Sequence, residues 1–252
     1  MLGVSMGIID VEKIKFEFGA NLVIIDGISF SVEKQEFVTL VGPSGCGKST
    51  LLRIIAGLIK PNSGSVYFMG RKITEPTTGI SFVFQDFGLL PWLTAMENVK
   101  LGMSMLGISE YEKEKRAAEL LEKFGLSSFA NAYINSLSGG MKQRVGIARA
   151  LSSDPKVLLM DEPFSSIDEL TAESLRSDVL STLKNPETPV DSVIMVSHNI
   201  EEAVELSDRI IVLSDKPSKV KGIKSISLPY PRNKHDKRFM QNVDEIYSIL
   251  TG

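Results

Sequence analysis

The chain of 252 residues holds one cysteine, one tryptophan and two histidines. A lone thiol, Cys46, excludes a disulfide framework and any metal site built on several cysteines. No run of 18 apolar residues occurs, so no segment reads as a membrane-spanning helix. Met1-Leu2-Gly3-Val4-Ser5-Met6 has neither a basic flank nor a long apolar stretch and does not read as a secretory signal, and Met6 is a second candidate start. Positive charge is not in excess either. The 28 Lys and Arg stand against 31 Asp and Glu, a net charge of −3 that offers no overall basic footprint for nucleic acid. No internal repeat is present. What remains is a chain long enough to bury the core of one α/β domain, or of a domain plus a subdomain, with reducing, cytoplasmic chemistry as the default.

The most informative segment is Gly42-Pro43-Ser44-Gly45-Cys46-Gly47-Lys48-Ser49-Thr50, which fits the G-x-x-x-x-G-K-[ST] phosphate loop. Val38–Val41 before it reads as a buried strand, and Leu51–Ala56 after it continues as a helix, the context the motif requires. The glycines let the backbone wrap an anion with its N–H groups inward, and the helix adds its positive end. Lys48 is then expected to reach the β- and γ-phosphates of a nucleoside triphosphate, and the Ser49 hydroxyl to coordinate Mg²⁺. Cys46, inside the loop, reads as a small space-filling side chain.

A coarse pass gives strands over residues 8–18 (edge-like), 28–32, 65–69, 80–84, 157–160, 192–196 and 209–213, with a helical stretch from about Pro91 to Leu151. Val157-Leu158-Leu159-Met160-Asp161-Glu162-Pro163 is an apolar strand ending in two carboxylates. Beside a phosphate loop, such a strand delivers Asp161 to hold Mg²⁺ and sets Glu162 one residue further, where it can orient or deprotonate water.

Leu137-Ser138-Gly139-Gly140-Met141 resembles the signature motif of the ATP-binding cassette family, usually LSGGQ. Ser138 is suited to cap a helix, and Gly139 and Gly140 leave N–H groups open to an anion. Other family stations follow. Gln85 resembles the Q-loop glutamine that senses γ-phosphate and Mg²⁺, Ser165-Ser166-Ile167-Asp168 the D-loop, and His198 the switch histidine. Asp168 also reads as a helix N-cap. Phe18 resembles the aromatic residue that stacks on adenine, with nearby Phe16 and a core placement as the other readings. The resemblance spans about residues 8–215. It departs at Met141, which replaces the usual glutamine, and at Gln35, where a glycine commonly precedes the glutamate.

The resemblance implies an α/β fold: a P-loop NTPase core with an N-terminal antiparallel β subdomain and a helical insertion. The expected division is 1–90 with 152–215 for the core, 91–151 for the helical subdomain with the signature motif, and 216–252 for a C-terminal extension. It also implies ATP and Mg²⁺ as ligands, with each ATP held by the loop residues Gly42 to Thr50 of one copy and Ser138-Gly139-Gly140 of a second.

Gln85-Asp86-Phe87-Gly88-Leu89-Leu90-Pro91-Trp92-Leu93-Thr94-Ala95-Met96-Glu97-Asn98-Val99 resembles the coupling segment of nitrate, sulfonate and taurine importer ATPases. Leu90 and Trp92 are either anchors for a membrane partner or packing between insertion and core. The implied function is ATP hydrolysis that powers solute import. The implied partners are two transmembrane permease subunits and, through them, an external solute-binding protein, with the chain peripheral on the cytoplasmic face of the membrane and no nucleic acid. The alternatives are export or lipid and lipoprotein extraction, and a soluble non-transport ATPase. Near the C-terminus, the basic run Pro231–Arg238 reads as solvated, and Phe239, Val243, Ile246 and Leu250 recur at helical spacing.

Overall fold

The computed structural model describes residues 7–19, 22–165, 167–185 and 188–252. Met1, Met6 and Ser166 lie outside them. The chain divides into two compact units, residues 1–77 with 191–252, and residues 78–190.

The first unit opens with an antiparallel sheet in the order β2-β1-β4-β5, formed by Ile9–Phe18 (β1), Leu22–Val32 (β2), Ser63–Phe68 (β4) and Arg71–Lys72 (β5). The edge-like reading of β1 is corrected here, since it pairs with β2 on one side and β4 on the other. Bulges between Val11 and Ile14, with Lys13 at φ 47°, break its alternation and gave it the irregular pattern of an edge. The same unit contains the run β10-β9-β3-β8: Val220–Ser225, Arg209–Leu213, Phe37–Val41 and Ser192–Val196. β3 lies parallel to both β8 and β9, and all five residues of β3 are buried, which explains its unbroken apolar run. Helices Lys48–Ile55 (α1), Ile200–Leu206 (α6) and Lys237–Thr251 (α7) complete the unit.

Two expectations near the C-terminus change. The sheet does not end at Leu213, because β10 adds an antiparallel strand. Nor is the whole basic run solvated: the Arg232 side chain is 1% exposed. It donates to the carbonyls of Val204 (2.6 Å), Ser207 (2.5 Å), Leu228 (3.2 Å) and Ile226 (3.3 Å), and its guanidinium lies 4.1 Å from the Tyr230 ring centroid. Beyond it, α7 buries Phe239, Val243 and Ile246 against Val204, Ile210 and Val212, with Leu250 partly buried.

The second unit pairs Ile80–Val83 (β6) and Val157–Asp161 (β7) in parallel and carries Ala95–Leu101 (α2), Glu110–Lys123 (α3), Gly139–Leu151 (α4) and Glu169–Leu183 (α5). Two 3-10 turns, Ser127–Phe129 and Ile134–Ser136, interrupt the helical stretch. α2 starts on a reciprocal capping box between Thr94 and Glu97, and α3 on Ser109.

Candidate active site

The phosphate loop leaves β3 at its carboxyl end and turns into α1 at Lys48. Gly47 caps that helix at φ 103°, and a Cβ there would stand 2.7 Å from Ile24 Cγ2, so both conformation and space demand glycine. The cradle is open to an anion because the first-turn amides of a helix lack intrahelical acceptors and carry the positive dipole end. Lys48 is 6% exposed, and its Nζ donates to the carbonyls of Gly42 (2.8 Å) and Pro43 (2.9 Å), which holds the ammonium against the loop. Cys46 is buried, and that burial pushes its thiol pKa up. A protonated, inaccessible thiol fills space and offers no redox chemistry.

Strand register brings His198 to the same edge. β3 and β8 run parallel with Leu40 opposite Val196, and the Ser197 N–H donates to Leu40 O at 3.2 Å. Both chains therefore leave the sheet together, one into the phosphate loop and the other to His198, whose side chain is exposed. Phe18 is 65% exposed, which removes the core reading, while Phe16 is half-buried. The two rings meet edge to face with centroids 5.8 Å apart. Phe18 pairs with Leu22 at the start of β2, the strand whose Ile24 and Ile25 border Gly47.

In the second unit the same register argument works again. Val83 on β6 lies opposite Met160 on β7. Gln85 and Glu162 each stand two residues beyond, and Gln85 Nε2 donates to Glu162 Oε2 at 3.1 Å. Asp161 is fully buried at the end of β7, whereas Glu162 is half-buried with its backbone at φ 47°. That left-handed conformation is costly for a glutamate and turns its side chain away from the strand's alternation. The chain then bends sharply, with the Ser165 hydroxyl donating to Glu162 O at 3.0 Å. Asp168 caps α5 by accepting from the Thr171 N–H at 3.0 Å, a bond that holds its carboxyl below the usual range.

Ser138 caps α4, accepting from the Met141 N–H at 3.3 Å. Ser138 and Gly139 are exposed, but Gly140 is buried, and a Cβ there would meet Thr171 Cγ2 at 2.4 Å. Glycine at that position lets α4 approach the start of α5.

The Leu89–Leu93 segment is fastened by residues to which the motif reading assigned no role. Asn98, fully buried on α2, accepts from the Leu90 N–H (2.8 Å) and donates to the carbonyls of Leu90 (3.1 Å) and Thr94 (2.9 Å). Arg149 of α4 donates to Gly88 O (2.7 Å) and Phe87 O (2.5 Å), and burial lowers its pKa. The Ser152 hydroxyl, at the end of α4, donates to Val99 O of α2 at 3.0 Å. A polar residue inside an otherwise apolar helical face is the signal that marks Asn98 and Arg149. Trp92, by contrast, is 68% exposed, so it does not pack the interior.

The donor chemistry suits a hard cation on a phosphate. A Ser49 hydroxyl, a Gln85 amide oxygen and an Asp161 carboxylate are oxygen ligands of the kind Mg²⁺ takes beside substrate phosphates. Among the described residues, no cluster of three or more His, Cys, Asp or Glu could hold a metal by itself.

Residues 25–165 match the ABC transporter family. The chain is 41% identical over 237 residues to the aliphatic sulfonates import ATP-binding protein SsuB of Bacillus cereus, covering 94% of this chain and 92% of that protein. It is 40% identical over 254 residues to the nitrate import ATP-binding protein NrtD of a Synechocystis species, covering 97% and 94%. A dimeric structure of an ATP-binding cassette in a post-hydrolysis state, bound to ADP and Pi, superposes with a TM-score of 0.77 at 33% identity, covering 88% of this chain and 100% of that one. The chain belongs to the ABC transporter family.

Proposed function

We propose that this chain is the ATP-hydrolysing subunit of an importer for a small anionic solute in the class of sulfonates, taurine or nitrate. The hydrogen bond between Gln85 and Glu162 carries the hydrolytic reading, because it places a carboxylate beside an amide that can report on the γ-phosphate. The solute class is supported by likeness to SsuB and NrtD along nearly the full chain.

In this reading the loop Gly42 to Thr50 binds ATP: the backbone N–H groups of Ser44, Gly45, Cys46, Gly47 and Thr50 and the Lys48 ammonium face the phosphates, Gly42 and Pro43, the latter with no N–H to give, shape the turn, and the Phe18 ring stacks on adenine. Ser49, Asp161 and Gln85 would hold Mg²⁺, which would neutralise charge on the phosphates. Glu162 takes the proton of the attacking water, and His198 bonds the γ-phosphate. Ser138, Gly139 and Gly140 of a second copy complete each site, a reading supported by the dimeric state of the similar cassette bound to ADP and Pi.

The core comprises 1–90 with 152–215, the helical subdomain 91–151 and the C-terminal extension 216–252. No described helix is long and apolar enough to cross a membrane. The chain works peripherally on the cytoplasmic face, seated on two permease subunits through the Trp92 segment, with an external binding protein delivering the solute. No nucleic acid takes part.

The test is reconstitution with the permease and binding protein that copurify with it. Uptake of labelled taurine, an alkanesulfonate or nitrate should require ATP and this subunit. Failure of all three, in a complex that hydrolyses ATP, would remove the solute class and leave the ATPase intact.

A further inference from the structure

The loop carrying His198 is braced on both sides by side chains that the proposed chemistry does not use. Ser197 and Glu202 are 1% and 7% exposed. The Ser197 hydroxyl donates to Glu202 Oε2 in a short hydrogen bond, and Ser197 Oγ itself accepts from the Asn199 N–H at 2.9 Å. Asn199 Oδ1 accepts from the Glu202 N–H at 3.1 Å and so caps α6. The ring of bonds is closed: Ser197 to Glu202, Glu202 to Asn199, Asn199 to Ser197. His198 sits at its apex, held on the β3 side by the bond from the Ser197 N–H to Leu40 O.

Burying a carboxylate beside a hydroxyl is not an economical way to stabilise a helix start. The N-cap bond of Asn199 already does that, and apolar packing would avoid the desolvation cost. What the ring adds is definition. It fixes the backbone torsions on both sides of an exposed imidazole, and reacting groups need placement within about 0.5 Å.

We propose that Ser197 and Glu202 are positioning residues for His198, fixing where its ring meets the γ-phosphate. This rests on the proposed reading of His198. The experiment is a double-mutant cycle on the full chain, read by Mg-ATP turnover, with Ser197→Ala made in the natural and the His198→Ala backgrounds.

In the natural background Ser197→Ala should lower kcat about tenfold, the scale of a modest misplacement, with KM for ATP within about twofold. In the His198→Ala background it should cost nothing further. Glu202→Leu should behave like Ser197→Ala, whereas Glu202→Gln keeps an acceptor oxygen and should hold kcat within about threefold of normal. A second readout is independent of activity. The chain has only His198 and His235, so ring-labelled histidine gives two sets of imidazole resonances. Ser197→Ala should shift or broaden those of His198 and leave those of His235 in place.

A folded Ser197→Ala protein with unchanged kcat and an unmoved His198 signal overturns the proposal. So does an equal loss in both backgrounds, which would mean that Ser197 acts elsewhere. If Ser197→Ala does not fold, the Glu202→Leu and Glu202→Gln pair decides by the same criteria. Full turnover by His198→Ala alone overturns the reading of His198, and this inference with it.

Discussion

Gln85 and Glu162 are linked side chain to side chain at 3.1 Å, each two residues past a paired position on parallel strands. Whatever shifts the segment after β6 therefore shifts the hydrogen-bond partner of Glu162. Glu162→Gln should retain ATP binding and lose turnover by about 100-fold or more, the usual worth of a general base. An ATP-bound dimer should accumulate on size-exclusion chromatography. Turnover within a few-fold of normal would end the role assigned to Glu162.

Lys48→Ala should weaken ATP binding by calorimetry, since the ammonium held against Gly42 and Pro43 is the fixed cation of the cradle. Ser138→Arg should leave ATP binding to the monomer near normal but block ATP-driven dimerisation and turnover. Mixed together, the two inactive variants should regain activity, because one site of the heterodimer has both functional halves. Heterodimers that form yet stay inactive would count against a shared site.

Trp92→Ala should leave thermal unfolding and basal ATP turnover nearly unchanged, because the ring is 68% exposed. Binding to the permease should fall. A central interface aromatic contributes about 2 kcal/mol or more, roughly thirtyfold in affinity. Normal assembly and uptake by the variant would relieve Trp92 of any coupling role.

Arg232→Met should destabilise the first unit by about 3 kcal/mol, measured by denaturant unfolding, because the carbonyls it serves would be left buried without a donor. ATP affinity at 25 °C should hardly change. A loss below about 0.5 kcal/mol would show that water replaces the guanidinium there.

Asp26 is held below its ordinary value of 3.8, first by the hydrogen bond from Lys15 and then by that from Lys219. A depressed carboxylate adds stability that is complete above pH 3.8 and disappears as the pH falls through the folded value. Asp26→Asn should accordingly lower stability at neutral pH, where that contribution is complete, and flatten the acid limb of the profile below pH 3.8, where the natural protein loses it anyway. An unaltered acid limb would show that the triad contributes nothing there.

Motif spacing made the phosphate loop, Asp161, Glu162 and the Ser138 cap legible, because each is a local device: a glycine turn, a strand end, a helix start. Fully buried strands such as β3, β7 and β8 were legible from their apolar runs. Elements whose existence depends on distant partners were not. Val220–Ser225 carries a glycine and two lysines, and becomes a strand by pairing with β9. Arg232 looked like one more surface cation, since the four carbonyls that bury it come from residues 204–228. The central place of β1 was hidden by its own bulges.

The fastening of Leu89–Leu93 has a mechanical meaning. Asn98 ties that segment to α2, Ser152 ties α2 to α4, and Arg149 ties α4 back to Phe87 and Gly88. Three short struts form a closed truss, and trusses do not shear. The segment that presents the exposed Trp92 ring is thereby tied by its backbone to two helices at once, so it is held as part of the helical unit and not as an independent loop.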